Sequence, residues 1–451
     1  MSSARHPAES LAFGNSQTRQ LASPLIAALA VEAVLAARLF LTIHTEAVNI
    51  FFWDQWDFNN PILFHPQPLW RAFLYQHGPE RQGLGALVGL LVGHFSDWST
   101  RADAFSIAII VVVASLCALW LKTRLFGSLV YTDVVIPMLF FTRVQWETYL
   151  GTTNPAHGSL PLLLIVLYCL AWTIGRDNAK YPLILIFNFF AIYTGFALFL
   201  GFVTPVILAL DAYQAGRSAP RAAWWPITAC LLSIVSIASF FTHYVRNPDC
   251  LAFIHSHPGA YLAFVSMMLS GFLAARGFYL STVTGAVVLA IFIAVGAGQL
   301  KRFFVPSDKR NISAIILALL GFSLAFASGT AVGRICMASE SAQNSRYMIY
   351  MVPGFLGLYF YLLMFRSKLG EWPIATLLLL ALLASFPTGV AHKGTMQKAR
   401  LDWRNCYLRL EDVERCDEIT HFSIYPRPET TTHLQEKLLD LKQRHLNLYA
   451  R

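Results

Sequence analysis

The sequence predicts an all-α polytopic membrane protein, and three observations carry that prediction. The 451-residue chain is 56% hydrophobic and 13% charged, with a mean hydropathy of +0.52. A soluble domain carries about 25% charged residues. Apolar runs long enough to cross a bilayer recur along almost the whole length. Lysine and arginine gather in short loops that fall on one side once those runs are counted as crossings. Backbone groups in lipid must be satisfied internally, which excludes an open sheet, and a barrel would need alternating strands. The net charge of +9 then belongs to cytoplasmic loops. No basic tract with interleaved aromatics lies outside them, so nucleic acid is not an expected partner.

The elements follow in order. Residues 1–21 are polar and expected to be disordered in the cytoplasm. The first apolar run, 22–46, lacks a compact charged leader and reads as a retained anchor. It contains Glu32 and Arg38, which are expected to face the bundle interior. The loop 47–101 holds "PLWRAFLYQ" and "LGALVGLLVGHF", too short for comfortable spans and suited to helices lying in the interface. Lys122 and Arg124 after the run 104–121 mark the cytoplasmic side, so 82–97 does not cross.

Further spans are expected at 126–142, 160–174, 182–194, 197–213, 223–242, 279–299, 311–329, 347–365 and 373–390, with 259–275 only partly in the membrane. About eleven transmembrane helices result, in one domain over 22–391. The clusters Arg176/Lys180, Arg217/Arg221, Lys301/Arg302/Lys309/Arg310 and Arg366/Lys368 then lie inside. A small tail, 392–451, lies outside. Its "TTHLQEKLLDLKQRHLNLY" reads as one amphipathic helix with a threonine cap. Cys406 and Cys416 in that tail can pair in an oxidising compartment, a question the spacing leaves open. Cys117, Cys169 and Cys230 lie in apolar runs as core residues, Cys250 and Cys336 in loops, and no CxxC or zinc-like spacing occurs. No internal repeat of the kind found in many transporters is visible.

The unusual polar clusters all fall in outer loops. "NIFFWDQWDF" at 49–58 sets Asp54 and Asp57 between Trp53 and Trp56. On a helix the two acids share a face, and one can act as a general base. They can also bind a divalent cation, although hard cations want more oxygen ligands than two carboxylates offer. A solvated helix cap explains them equally. In "QHGPERQ", Gly78-Pro79 reads as a turn into a helix start, with His77, Glu80 and Arg81 beside it. Such a start offers N–H groups to an anion, and Arg81 can hold a phosphate. Gln145 and Glu147 flank Trp146 in an arrangement suited to sugars, although an interfacial tryptophan accounts for part of it. Arg334, and Arg346 with Tyr347, place cations outside against the usual bias; two arginines can grip a lipid phosphate, or simply headgroups. No Walker loop, dinucleotide fingerprint, GxSxG elbow or HExxH motif is present.

Taken in order, "WDQWD" (53–57), "QHGPERQ" (76–82), "VQWETYLGTTN" (144–154), "GRICMASESAQNSRY" (333–347) and "SIYPRP" (423–428) resemble bacterial integral membrane glycosyltransferases of the GT-C class. The resemblance covers most of the chain in architecture, through short and degenerate motifs. It implies a multi-pass protein of the bacterial inner membrane with an extracytoplasmic active site. It also implies transfer of a hexosyl or pentosyl group from a polyprenyl-phosphate-linked donor to a glycan, lipid or protein acceptor. An acid in the first loop would be the catalytic base, Asp54 being preferred over Asp57 as the first acid after the span. Arg81, Arg334 and Arg346 would hold the donor phosphate. Trp53, Trp56, His77, Glu80, Gln145, Glu147 and Tyr347 would line the substrate site, with no metal ligand among them. The group's pattern has consecutive Glu-His-Arg where this chain has His77-Gly-Pro-Glu80-Arg81, so Glu80 and Arg81 transfer better than His77. Two other functions compete, a flippase of lipid-linked glycans and an O-antigen-type ligase or polymerase. Against a transporter stands the gathering of polar residues at one face, because transporters place them near the midplane.

Overall fold

The computed structural model describes residues 12–245, 258–305, 310–336, 339–385, 390–425 and 433–450. Among these described residues, seven helices are long and apolar enough to cross a membrane: Ser23–Glu46, Thr100–Phe126, Gly195–Arg217, Pro220–Phe240, Phe278–Phe303, Arg310–Arg334 and Ser345–Leu369. Leu84–Phe95, Ser159–Ala171, Gly259–Phe272 and Trp372–Ala384 are shorter apolar helices. The protein is therefore an all-α polytopic membrane protein. The first helix runs Ala12–Glu46. Cys250, most of the loop 243–258 and the end of "SIYPRP" lie outside the described residues.

The segment expected as a span at 126–142 is not a regular helix. Only Val135–Phe140, six residues, is α-helical, a rise of about 9 Å against a hydrocarbon core of about 30 Å. The chain nevertheless climbs alongside the first helix. Tyr131 meets the Ser23 hydroxyl, and the Phe141 carbonyl accepts from Arg38 Nη2 at 2.7 Å. Ser23 and Arg38 lie fifteen residues apart on one helix, roughly 22 Å. Irregular backbone at such depth is tolerated where protein surrounds it; Val135, Ile136, Leu139, Phe140 and Phe141 are all buried. Gln145 Nε2 donates to the Phe140 carbonyl. Arg38 and Gln145 thus close the backbone where the helix stops.

Several charged groups inside the bundle have polar partners. Ser115 Oγ donates to Glu32 at 2.6 Å, so Glu32 faces inward as expected. Lys122 pairs with Asp133 at 2.9 Å, and Tyr359 donates to the same carboxylate at 2.7 Å. Asp211 takes a hydrogen bond from Tyr181 at 2.7 Å and ion pairs from Lys180 and Arg310. Three of the basic residues used to read topology therefore also lock helices together.

The tail is not a separate appendage. One apolar cluster, distinct from the bundle core, joins Ile50, Phe51, Phe52 and Trp56 of the first loop to Trp403, Tyr407, Leu434 and Leu438 of the tail. The amphipathic helix is present as Leu434–Gln443, but it starts after His433 and not from a threonine cap. Cys406 and Cys416, both buried in this cluster, form a disulfide. Arg400 fastens the assembly: its guanidinium donates to the carbonyls of Leu150 at 2.7 Å and Ile50 at 2.8 Å. Burial pushes Arg400 down to about 10, still far enough above neutrality to keep it charged.

Because the first loop and the tail share a core, they lie on one face of the membrane. Single cysteines replacing His65 and Glu436, both exposed, are expected to react with a membrane-impermeant maleimide from the same side of oriented vesicles. Labelling from opposite sides contradicts the shared core.

Candidate functional site

The sharp turn after the first span aims Asp54. Trp53 takes a positive φ of 51°, an outlier for a bulky residue, and its N–H is held by the Ile424 carbonyl of the tail at 2.7 Å. Asp54 follows as the cap of a four-residue helix, Gln55–Phe58. Gln55 ties that helix across to Thr153, with 2.9 Å to its carbonyl and 2.6 Å to its hydroxyl.

"QHGPER" forms a two-residue hairpin and not a helix start. Gln76 pairs with Arg81 and His77 with Glu80 around Gly78, which has φ +57°. Paired residues share a face of a ladder, and adjacent residues oppose one another. His77 and Glu80 therefore point together into a cavity. Arg81 points the other way, donating to the carbonyls of Leu74, Phe240 and Thr242. The expected anion-binding helix start is absent there, because the next helix begins only at Leu84.

The cavity, about 480 Å³, is lined by Asp54, His77, Glu80, His157, Arg334, Arg346, Tyr347 and Tyr350 among others. His77 Nε2 lies 3.9 Å from Asp54 Oδ1. His157 Nε2 meets Glu80 Oε1. Phe58 stands between the two imidazoles, edge-on to each at 4.6 Å. The second oxygen of Glu80 is buried with no hydrogen-bond partner among the described residues, an acceptor left for a ligand. Asp54 and Glu147 lie close enough to Arg346 to act on it electrostatically.

A second cavity, about 810 Å³, shares His157 and Arg346 with the first. Trp53, Trp146, Glu147, Thr148, Thr152, Asn344 and Met396 also line it. Glu147 has a structural task as well: it accepts the Arg346 backbone N–H at 3.0 Å, and its own N–H donates to Ser345 Oγ at 3.0 Å. Among the described residues no group of three or more His, Cys, Asp or Glu side chains is placed to hold a metal ion.

Of the residues expected at the site, Asp54, Trp53, His77, Glu80, Glu147, Arg334, Arg346 and Tyr347 line these two cavities. Four do not. Asp57 accepts a hydrogen bond from Tyr425 at 3.0 Å and faces the tail. Trp56 is buried in the loop–tail cluster. Arg81 and Gln145 are committed to backbone carbonyls. His157 was not among the expected residues. Asn154 places it, accepting from the Ala156 N–H at 2.8 Å and donating to Gln82 at 2.9 Å. A histidine just past Asn-Pro in a loop between apolar runs was the available signal.

No family model, curated protein or solved structure matches the chain.

Arg81→Gln leaves the carbonyls of Phe240 and Thr242 without their charged donor. A bond to a charged group is worth about 1.5–3 kcal/mol, so thermal unfolding in detergent is expected to shift clearly downward. An unchanged unfolding temperature would return Arg81 to the list of ligand-binding residues.

Proposed function

We propose that this protein is a membrane glycosyltransferase that moves a sugar from a polyprenyl-phosphate donor to an extracytoplasmic glycan, lipid or protein acceptor. The observation that carries the reading is the meeting of Asp54 with Arg334 and Arg346 in one cavity, beside a lipid-facing bundle. A carboxylate and two guanidiniums answer the two demands of displacement at a sugar phosphate. One takes a proton, and the others receive negative charge.

The acceptor hydroxyl oxygen attacks the anomeric carbon while Asp54 takes its proton. The bond from that carbon to the phosphate oxygen breaks, and the electron pair leaves on the phosphate. Arg346 and Arg334 stabilise the charge that develops there. His77 stands beside Asp54, and the open oxygen of Glu80 suits a sugar hydroxyl. The larger cavity, with Trp53 and Trp146, suits the acceptor.

In this reading the chain crosses eleven times. The seven long helices are joined by the irregular 131–141 segment and by Ser159–Ala171, Asp177–Tyr193 and Trp372–Ser385. The amino terminus is cytoplasmic, and the loop–tail layer faces outward from a bacterial inner membrane.

The test is transfer from radiolabelled polyprenyl-phosphate sugars by purified protein in native membrane lipid extract. Asp54→Asn is expected to lower the rate by about 10²–10⁴ while donor binding persists. Asp57→Asn, which alters contacts to Tyr425 and Lys437 on the tail and to Tyr75 but none in the cavity, is expected to retain most activity. Full transfer by a well-folded Asp54→Asn variant rules out the carboxylate mechanism.

A further inference from the structure

A third cavity, a groove of about 380 Å³, opens beside the outer half of the first span. Its wall brings Arg38 and Arg143 together with Thr142, Trp146 and Tyr149, and it contains no aspartate or glutamate. The two guanidiniums are near enough for their like charges to interact. Thr142 supplies a second and independent sign. Its side chain is only 2% exposed, and its hydroxyl is buried with no hydrogen-bond partner among the described residues.

We propose that this groove is an anion site, separate from the Arg334/Arg346 cavity, that takes a phosphate group. Two guanidiniums and one hydroxyl are the donors a phosphate asks for. Thr42 with Leu39, Phe141 and Leu150 completes the wall, and the apolar surfaces of the last three favour a phosphate carried on a lipid over the free ion. Arg38 is already steadied by its bond to the Phe141 carbonyl, so less freedom is lost when the ligand arrives. Trp146 belongs both to this groove and to the 810 Å³ cavity. A lipid phosphate held here would carry its headgroup to the mouth of that cavity.

The site requires no transfer reaction, so its test uses none. Native mass spectrometry of the detergent-purified protein counts bound phosphatidylglycerol and polyprenyl monophosphate, with inorganic phosphate as the free-ion arm. Arg143→Gln is the main variant, since Arg38 also supports backbone and its loss risks misfolding. Arg143→Gln is expected to weaken the lipid adduct about tenfold or more, with an unchanged unfolding temperature. Arg346→Gln is expected to leave this adduct in place. Displacement of the lipid by inorganic phosphate would identify the free ion as an equal ligand, and resistance to displacement would identify the headgroup. Adducts equal in wild type and Arg143→Gln, adducts lost only in Arg346→Gln, or no adduct on the wild type would each overturn the proposal.

Discussion

The guanidinium of Arg400 joins three stretches of chain that are far apart in sequence. It donates to the carbonyl of Ile50, just before the turn that carries Trp53 and Asp54, and to that of Leu150, just after the turn that carries Glu147. It sits on the tail helix Val390–Leu410 and lies 5.1 Å from the Phe52 ring centroid. A buried arginine that satisfies carbonyls from two segments fixes their relative position, because releasing either would strand polar groups out of water. The first loop can therefore hold a tryptophan at positive φ, with the tail carbonyl of Ile424 gripping its N–H. Strain of that kind persists only where the surroundings over-determine it.

The membrane supplies the complementary constraint. Polar backbone inside the bundle is closed by side chains, as Arg38 and Gln145 close the carbonyls of Phe141 and Phe140. Charges around Asp133 and Asp211 are paired there. Where the loop–tail layer meets the bundle, Glu80, one of whose buried carboxylate oxygens has no hydrogen-bond partner among the described residues, shares one cavity with Arg334 and Arg346. Three adjoining spaces, linked through His157, Arg346 and Trp146, give that layer room for more than one ligand.

The sequence made the membrane class readable because composition and run length report burial in lipid directly. It also pointed to part of the cavity lining, since Asp54, Glu80, Arg334 and Arg346 are charged residues in the stretches between apolar runs. It could not show which way each side chain turns. His77 and Glu80 share a face, and Arg81 leaves it, because of a hairpin register that two residues per strand cannot signal. Asp54 lines the cavity and Asp57 does not, because the tail offers Asp57 the hydroxyl of Tyr425. The role of the tail was hidden for a related reason: its apolar residues look like those of any amphipathic helix until the first loop is seen to complete their core.

The central claim is that the Arg334/Arg346 pair receives a donor phosphate beside Asp54. A cryo-electron microscopy structure with a non-transferable phosphonate analogue of a polyprenyl-phosphate sugar tests it most directly. The account predicts the phosphonate oxygens within hydrogen-bond reach of Arg346 and the sugar in the cavity shared by Asp54, His77 and Glu80. An analogue seated at the bilayer midplane, or with its phosphonate away from both arginines, would contradict it.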